Sequence, residues 1–152
     1  MKIVDFEPSL AEAFKRLNYE WLQRYFRVED IDERILSDPQ SEVIDHGGYI
    51  LFAVEEDKAI GTVALKHHGD ACFELTKMAV TAGQQGRGVG KALLSAAIQR
   101  YRAISGQKMF LESHSSLATA IKLYEAAGFR HAAHPGGSDY ARSDTYMVFL
   151  QR

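Results

Sequence analysis

The sequence predicts an α/β (α+β) fold built on a mixed, mainly antiparallel twisted sheet of about seven strands, with helices on both faces. Two observations support this prediction. Short runs of β-branched and aromatic residues are separated by turn formers, and several lie close enough in sequence to pair as antiparallel neighbours. Segments with helical 3–4 periodicity lie between these runs, so helices are available to cover the sheet.

The N-terminal part is predicted to contain one strand and two helices. Residues 2–6 alternate apolar and polar side chains, as a short strand does. Ser9 and Glu12 form a capping-box pattern for a helix that runs to about Tyr25. A second short helix is expected at about 30–36, before a proline. The buried stripe of the first helix is Leu10, Phe14, Leu17 and Trp21.

The middle of the chain is predicted to form a hairpin and a central strand. Tyr49–Glu55 and Ala59–Lys66 are joined by a short polar turn. Another turn leads into Cys72–Val80, which has few turn formers and no proline. Alternating glycines then separate this strand from a helix whose apolar positions are Val89, Leu93, Leu94, Ala97, Ile98 and Tyr101.

The C-terminal part is predicted to contain a buried strand, a helix and two further strands. The buried strand is Lys108–Glu112. Ser115 or Ser116 caps the helix, which ends at Gly128, a common residue just beyond a helix end. The last two strands are antiparallel and comprise Phe129–Ala133 and Asp144–Leu150.

The composition fits one globular domain over residues 1–152. The chain is 46% hydrophobic and 25% charged, which is enough apolar material for a core. A net charge of −2 gives no basic surface for nucleic acid, so no nucleic-acid partner is expected. The single cysteine, Cys72, excludes an internal disulfide and suits a reducing compartment. There is no leader pattern or membrane-length apolar run, so a cytoplasmic protein is expected. The sequence leaves open whether it forms a homodimer.

The segment from Gln85 to Lys91 has the properties of an anion site. It joins a strand to a helix N-terminus, where the first backbone N–H groups have no partner and the helix dipole is positive. Its glycines let the backbone approach a ligand closely. A P-loop does not fit, because Gln85 and Ala92 occupy its first glycine and its Ser/Thr positions. A dinucleotide fingerprint does not fit either, because its third glycine would fall on Lys91 or Leu93.

The pattern that fits is Gln-x-x-Gly-x-Gly, at Gln85, Gly88 and Gly90. It resembles the acyl-CoA-binding motif of the GNAT N-acetyltransferase superfamily, which includes histone acetyltransferases. Glu74 precedes Gln85 by eleven positions, the offset at which histone-type members have a catalytic glutamate. The segment from Ala120 to Phe129 resembles a second motif of that family, A-x-x-L-Y-x-x-x-G-F.

The resemblance implies an acyl-CoA N-acyltransferase fold and a reaction. The reaction is transfer of an acetyl group from acetyl-CoA (coenzyme A) to a primary amine of a small molecule or peptide, by direct attack in a ternary complex. In this family the strands at 72–80 and 108–113 splay apart, and the pantetheine arm of the cofactor lies between them. The cofactor-binding residues so implied are Met78, Ala79, Val80, Gln85, Gly86, Arg87, Gly88, Val89, Gly90, Lys91 and His114.

Most of these contacts are expected through the main chain. The N–H groups of residues 85–91 would hold the diphosphate, and Arg87 and Lys91 add charge or are solvated surface residues. Main-chain N–H groups near Met78 to Val80 would stabilise the oxyanion, if a bulge or a splayed strand edge leaves them unpaired. His114 stands where many relatives have an asparagine that binds the pantetheine arm, and it either replaces that donor or relays a proton.

Two side chains are candidates for proton transfer. Deprotonating an amine with a pKa of ~10.4 at pH 7 costs about 4.6 kcal/mol, so the site needs a proton acceptor. Glu74 is the candidate acceptor, acting directly or through water; alternatively, it faces solvent or pairs with a basic neighbour. Tyr124 is the candidate acid for the departing thiolate, and its alternative is an aromatic residue of the core.

The acceptor amine is not identified by the sequence. Its pocket is expected between the first two helices and the loop before the last strand. The acidic run at 29–33 either attracts a cationic amine or is a solvated helix start. No metal site is expected, because the histidines are not spaced as ligands. A non-catalytic acyl-CoA sensor and a nucleotide-binding module remain as alternative functions. The candidate lining residues of the pocket are Trp21, Tyr25, Phe26, Tyr140 and Arg142.

Overall fold

The computed structural model describes residues 1–150, and within them seven strands form one sheet. The strand order is β1-β2-β3-β4-β5-β7-β6. All neighbours pair antiparallel except β4 and β5, which are parallel, so the predicted mixed, mainly antiparallel sheet is confirmed. The strands are β1 (Lys2–Asp5), β2 (Tyr49–Glu55), β3 (Lys58–His67), β4 (Cys72–Val80), β5 (Lys108–Ser113), β6 (Phe129–His131) and β7 (Thr145–Phe149).

Helices cover both faces of the sheet, as predicted. The first two helices pack with Phe14, Ile35 and Phe52 in one apolar cluster, whereas the other two pack with Leu94, Leu111 and Phe129 in a second. None of the helices in the described part of the chain has the length and apolar character needed to cross a membrane. The helices are α1 (Ala11–Tyr25), α2 (Asp30–Ser37), α3 (Val89–Ala103) and α4 (Ala118–Ala127).

The predicted N-caps of α1 and α4 are wrong. A 3₁₀ turn at Pro8–Leu10 precedes α1, and the Ser9 hydroxyl donates to Glu7 instead of to the helix. Leu117 takes the cap position of α4, because Ser115 is held by Asp144. The far end of α4 is as predicted, with Gly128 in the left-handed region at φ 116°.

Candidate active site

A cleft opens between β4 and β5, in the middle of the sheet. The two strands pair only from Cys72↔Lys108 to Glu74↔Phe110. Beyond that point β4 stays beside β3, while β5 stays beside β7. The resulting cleft has a volume of about 840 Å³ and reaches from α1 to the start of α3. The splayed strands expected from the family resemblance are therefore present.

A β-bulge in β4 lies at the floor of this cleft. The register between β3 and β4 shifts between Thr62 and Ala64, so Lys77 and Met78 together oppose one residue. Lys77 has a φ of 54°, which is unusual for a residue with a side chain. The bulge overlaps the stretch from Met78 to Val80, where the sequence predicts irregular pairing.

The glycine turn forms one end of the cleft. Gly86 and Gly88 have φ of 82° and 80°, in the left-handed region that favours glycine. Gly88 is the N-cap of α3, and the first helical hydrogen bond runs from the N–H of Ala92 to its carbonyl. The N–H groups of residues 89–91 therefore have no acceptor within the helix. This arrangement suits an anion such as a diphosphate.

Ten of the eleven residues expected to contact the cofactor line the cleft, and Arg87 is the exception. The Arg87 guanidinium lies 3.2 Å from Glu55 on β2 and also donates to Gln84. Lys91 does line the cleft. The charge that Arg87 was expected to add is therefore directed at Glu55 in this structure.

Glu74 is a buried carboxylate on the cleft wall. Its side chain is 6% exposed, and its Oε1 lies 2.9 Å from Nε2 of His68. The alternative that Glu74 faces solvent is therefore wrong. The alternative that it pairs with a basic neighbour is present, since His68 can be cationic. Glu74 still lines the cleft, and its other oxygen, Oε2, makes no hydrogen bond within residues 1–150.

Tyr124 reaches the cleft from α4. Its ring packs on Phe129, with the centroids 6.0 Å apart. Burial raises the pKa of Tyr124 to about 12. The phenol is therefore protonated throughout the physiological range. Tyr124 thus combines the two interpretations of the sequence, since it packs on the core and also lines the cleft.

His114 lies at the end of β5, opposite the bulge. Its Nδ1 accepts the N–H of Ser116 at 3.0 Å and lies 2.7 Å from the Ser116 hydroxyl. A backbone N–H can only donate, so Nδ1 is unprotonated in this arrangement and the proton of a neutral ring is on Nε2. Nε2 is 3.6 Å from Asp144, which leaves it available as a donor at the cleft.

An ion network that the sequence analysis did not predict forms the wall beside α2. The carboxylate of Asp32 is fully buried and lies 2.7 Å from Lys77 Nζ and 2.7 Å from both terminal nitrogens of Arg142. Burial alone would raise the pKa of Asp32, but hydrogen bonds from Arg142 and the charge of Lys77 outweigh it and hold the pKa at about 2. Burial lowers the pKa of Lys77, and Asp32 offsets part of this effect.

This network corrects the interpretation of two residues in the acidic run at 29–33. Glu29 and Asp32 bind Arg142 and Lys77, so they are neither solvated nor free to attract an amine. Asp30 and Glu33 are exposed in the first turn of α2, as the alternative of a solvated helix start predicts. Lys77, the one basic residue of β4, was the local signal that a buried partner exists. The candidate pocket residues Trp21, Tyr25, Phe26, Tyr140 and Arg142 do line the cleft.

Glu112 is a second carboxylate of the cleft that the sequence analysis did not single out. Its side chain is 9% exposed, and Oε1 is buried without a hydrogen-bond partner among the described residues. Nε2 of His134 is only 2.9 Å away but makes no hydrogen bond with that oxygen. Residues 1–150 contain no cluster of three or more His, Cys, Asp or Glu that could hold a metal ion.

The sequence matches the Acetyltransferase (GNAT) family over residues 15–129. An uncharacterised N-acetyltransferase of Escherichia coli is 30% identical over 132 residues, which cover 82% of this chain and 76% of that protein. N-acetylaspartate synthetase of Rattus norvegicus is 30% identical over 114 residues. These cover 74% of this chain but 35% of the rat protein, so the chain spans about a third of that relative.

Solved structures show the same fold. A GNAT-family acetyltransferase from Staphylococcus aureus superposes with a TM-score of 0.87 at 17% identity, covering 97% of both chains. An acetyltransferase from Salmonella typhimurium, solved with its cofactor acetyl-CoA, has a TM-score of 0.76 at 23% identity and covers 98% of this chain and 92% of that one.

Proposed function

The chain belongs to the GNAT acetyltransferase family and is an acyl-CoA-dependent acetyltransferase, and we propose that it transfers the acetyl group of acetyl-CoA to a primary amine of a small molecule or peptide. The observation that supports this most is the cleft between β4 and β5. It has free helix N–H groups at one end and a buried carboxylate and a phenol along its walls. We further propose that residues 1–152 act as one catalytic domain in the cytoplasm.

The cleft fits an acyl-CoA in both charge and shape. The N–H groups at the start of α3 take the diphosphate, and Gly86 and Gly88 leave open space in front of them, since an added Cβ would meet no atom within 4 Å. The separated edges of β4 and β5 accept the pantetheine arm, and His114 Nε2 donates to it. The co-substrate supplies an activated acetyl group as a thioester.

The reaction is a direct attack of the amine on the thioester carbonyl. Glu74 takes a proton from the ammonium form of the acceptor, whose nitrogen then forms the new C–N bond. Main-chain N–H groups beside the bulge at Lys77 and Met78 stabilise the oxyanion. The nitrogen of the intermediate loses its second proton to water as the intermediate collapses. The C–S bond breaks in the same step, and the sulfur leaves with its electron pair towards Tyr124.

Tyr124 acts first as a hydrogen-bond donor to the leaving sulfur. Its pKa of about 12 lies roughly 3.5 above that of a cysteine-like thiol. Complete proton transfer from an isolated phenol would therefore cost about 5 kcal/mol. Tyr124 instead lowers the barrier by donating a hydrogen bond to the sulfur as negative charge develops on it. The proton moves from the phenol to the sulfur as water returns a proton to the phenol oxygen.

An amine screen tests the proposed function. The protein is mixed with acetyl-CoA and alkylamines, diamines, amino acids or short peptides, and free thiol is measured. We expect thiol release that depends on one class of amine, with an acetylated product of the matching mass. CoA binding without thiol release for any amine would favour the sensor, and binding of ATP or NAD in place of CoA would favour the nucleotide-binding module.

Replacement of each cleft carboxylate decides which one accepts the proton. We expect Glu74→Gln to lower kcat by about 10²- to 10⁴-fold with little change in the KM of acetyl-CoA. Glu112→Gln is the matched variant, because it removes the other buried carboxylate on the cleft. A large loss in Glu112→Gln with near-normal kcat in Glu74→Gln would transfer the role to Glu112.

A further inference from the structure

The buried carboxylate of Glu74 has one side-chain partner, and that partner reaches solvent. Glu74 Oε1 and His68 Nε2 are 2.9 Å apart. The Glu74 side chain is 6% exposed and lines the cleft, whereas the His68 side chain is 38% exposed and does not line it. His68 therefore lies behind Glu74, between the cleft and bulk water.

A base inside the cleft must release a proton in every turnover. In the ternary complex the acceptor and the co-substrate fill the cleft, so the route through its mouth is obstructed. Among residues 1–150, the only hydrogen bond of the Glu74 side chain is the one to the His68 ring. Imidazole is the side chain that both accepts and donates a proton between pH 5 and 8, which suits it to this step.

We propose that His68 carries the proton from Glu74 to solvent during acetyl transfer. The inference rests on the proposed function. In the resting pair Nε2–H of the neutral His68 ring donates to the Glu74 carboxylate. Once the acceptor ammonium has protonated Glu74, exchange with water moves the ring proton from Nε2 to Nδ1, and Nε2 then takes the proton from Glu74. The imidazolium loses the proton on Nδ1 to water, which restores both the carboxylate and the resting tautomer.

The surroundings of His68 permit this route. The ring is held against Phe110, with the centroids 5.3 Å apart. Nδ1 makes no hydrogen bond to any residue within 1–150, and the side chain is 38% exposed, so water has access to the ring. The titratable or charged groups on the strands and the turn around the ring are Lys66 on β3, Asp70 in the turn, Cys72 and Glu74 on β4, and Lys108 on β5.

The pair of His68 and Glu74 differs from a surface pair between α4 and β6. His131 and Glu125 lie 3.3 Å apart, but their side chains are 54% and 46% exposed and neither lines the cleft. A proton on Glu125 exchanges with water directly. His131 is therefore a matched control, because the same substitution there removes an imidazole from a carboxylate without touching the cleft.

His68→Gln is the decisive variant. The glutamine amide can still donate a hydrogen bond to Glu74 but cannot relay a proton at neutral pH. We expect kcat to fall about tenfold or more, with an unchanged KM for acetyl-CoA and an altered acidic limb of the pH–rate profile. Imidazole added to the buffer should restore part of the lost rate. His131→Gln should keep the wild-type kcat and pH profile.

A double variant links the effect to Glu74. In a Glu74→Gln background, adding His68→Gln should cause no further loss, because both act on the same proton. Thermal unfolding of each variant checks that it is folded. A His68→Gln enzyme with full kcat and the wild-type pH profile would overturn the inference alone, as would losses that multiply in the double variant. A wild-type protein that acetylates no amine would instead overturn the proposed function.

Discussion

Tyr124 combines core packing with a place in the cleft. Its ring contacts Phe129 and packs against the apolar cluster that includes Leu94 and Leu111, and the residue also lines the cleft. The burial that stabilises the ring also raises the pKa to about 12. The role proposed for its phenol is compatible with this packing, because only the oxygen distinguishes tyrosine from phenylalanine.

Tyr124→Phe separates the two roles. We expect kcat to fall at least about tenfold, because the leaving sulfur loses its donor, while the affinity for CoA and the thermal stability change little. Steady-state rates and CoA titration by calorimetry measure both quantities. The wild-type rate should also show no alkaline limb from this residue below about pH 10. An unchanged kcat in the variant would remove Tyr124 from the mechanism.

For individual residues, the partner that each side chain contacts was the feature hardest to predict from the sequence. Glu74, Tyr124 and His114 were found because they belong to sequence motifs, and they do meet in one cleft. The pairing of Arg87 with Glu55 depends on how the glycine turn lies over β2. A local pattern does not contain that information.

At the scale of elements, β4, the glycine turn and α3 form one unit. β4 ends at Val80, and Gln85 Nε2 donates to the Val80 carbonyl at 3.4 Å, which ties the turn back to the strand. α3 then begins at Val89 without a side-chain cap. Because no side chain fills the helix N-terminus, that position stays available to a ligand.

Gly88→Val tests this unit. A β-branched residue at φ 80° costs about 1–2 kcal/mol in backbone strain, and its side chain enters the open space in front of the N–H groups. We expect CoA binding, measured by calorimetry, to be lost while the protein remains folded. Gly83→Val is the control, because Gly83 lies in the same loop with an ordinary φ and outside the cleft. Retained affinity in Gly88→Val would place the diphosphate elsewhere.

The order and bounds of the elements were largely predictable from the sequence. Cys72–Val80 and Tyr49–Glu55 are confirmed residue for residue, because alternation and flanking turn formers are local signals. The N-caps of α1 and α4 were not. Ser115 fits a cap by its type, yet Asp144, twenty-nine residues later, holds its hydroxyl. The π-helix at Gln40–Ile44 was also missed, since its pattern resembles an ordinary turn.

For the whole molecule, the buried Asp32 holds three distant parts of the chain together. It belongs to α2, Lys77 to the bulge of β4, and Arg142 to the segment before β7. The wall of the cleft beside α2 therefore keeps its shape through charges that neutralise one another. Removing one member leaves the others buried without compensation.

Asp32→Asn is expected to lower the free energy of unfolding by about 3–5 kcal/mol at pH 7. The native pKa of about 2 lies below the ordinary 3.8. The stabilisation is therefore complete above about pH 4 and is lost as the pH falls towards 2. Urea unfolding at pH 7, 4 and 2.5 should show the difference between wild type and variant shrinking with acidity.

Asp5→Asn is the control for that series. Asp5 pairs with Arg100 at 2.8 Å, but its side chain is 64% exposed, so solvent screens the pair. We expect a change of less than about 1 kcal/mol at pH 7. Equal stabilities of Asp32→Asn and wild type at pH 7 would show that the buried network does not stabilise the fold.

A sheet with one row of strands ordinarily has free edges only at its two ends. In this sheet β1 and β6 form those outer edges. Beyond Glu74 and Phe110, β4 and β5 separate, which creates two inner edges that face each other. Unpaired edges accept further extended chains that present amide groups at strand spacing. The pantetheine arm contains such amides, so in the proposed complex it takes the place of a temporary strand. The proposed complex would thus complete the sheet, with the co-substrate pairing to both inner edges.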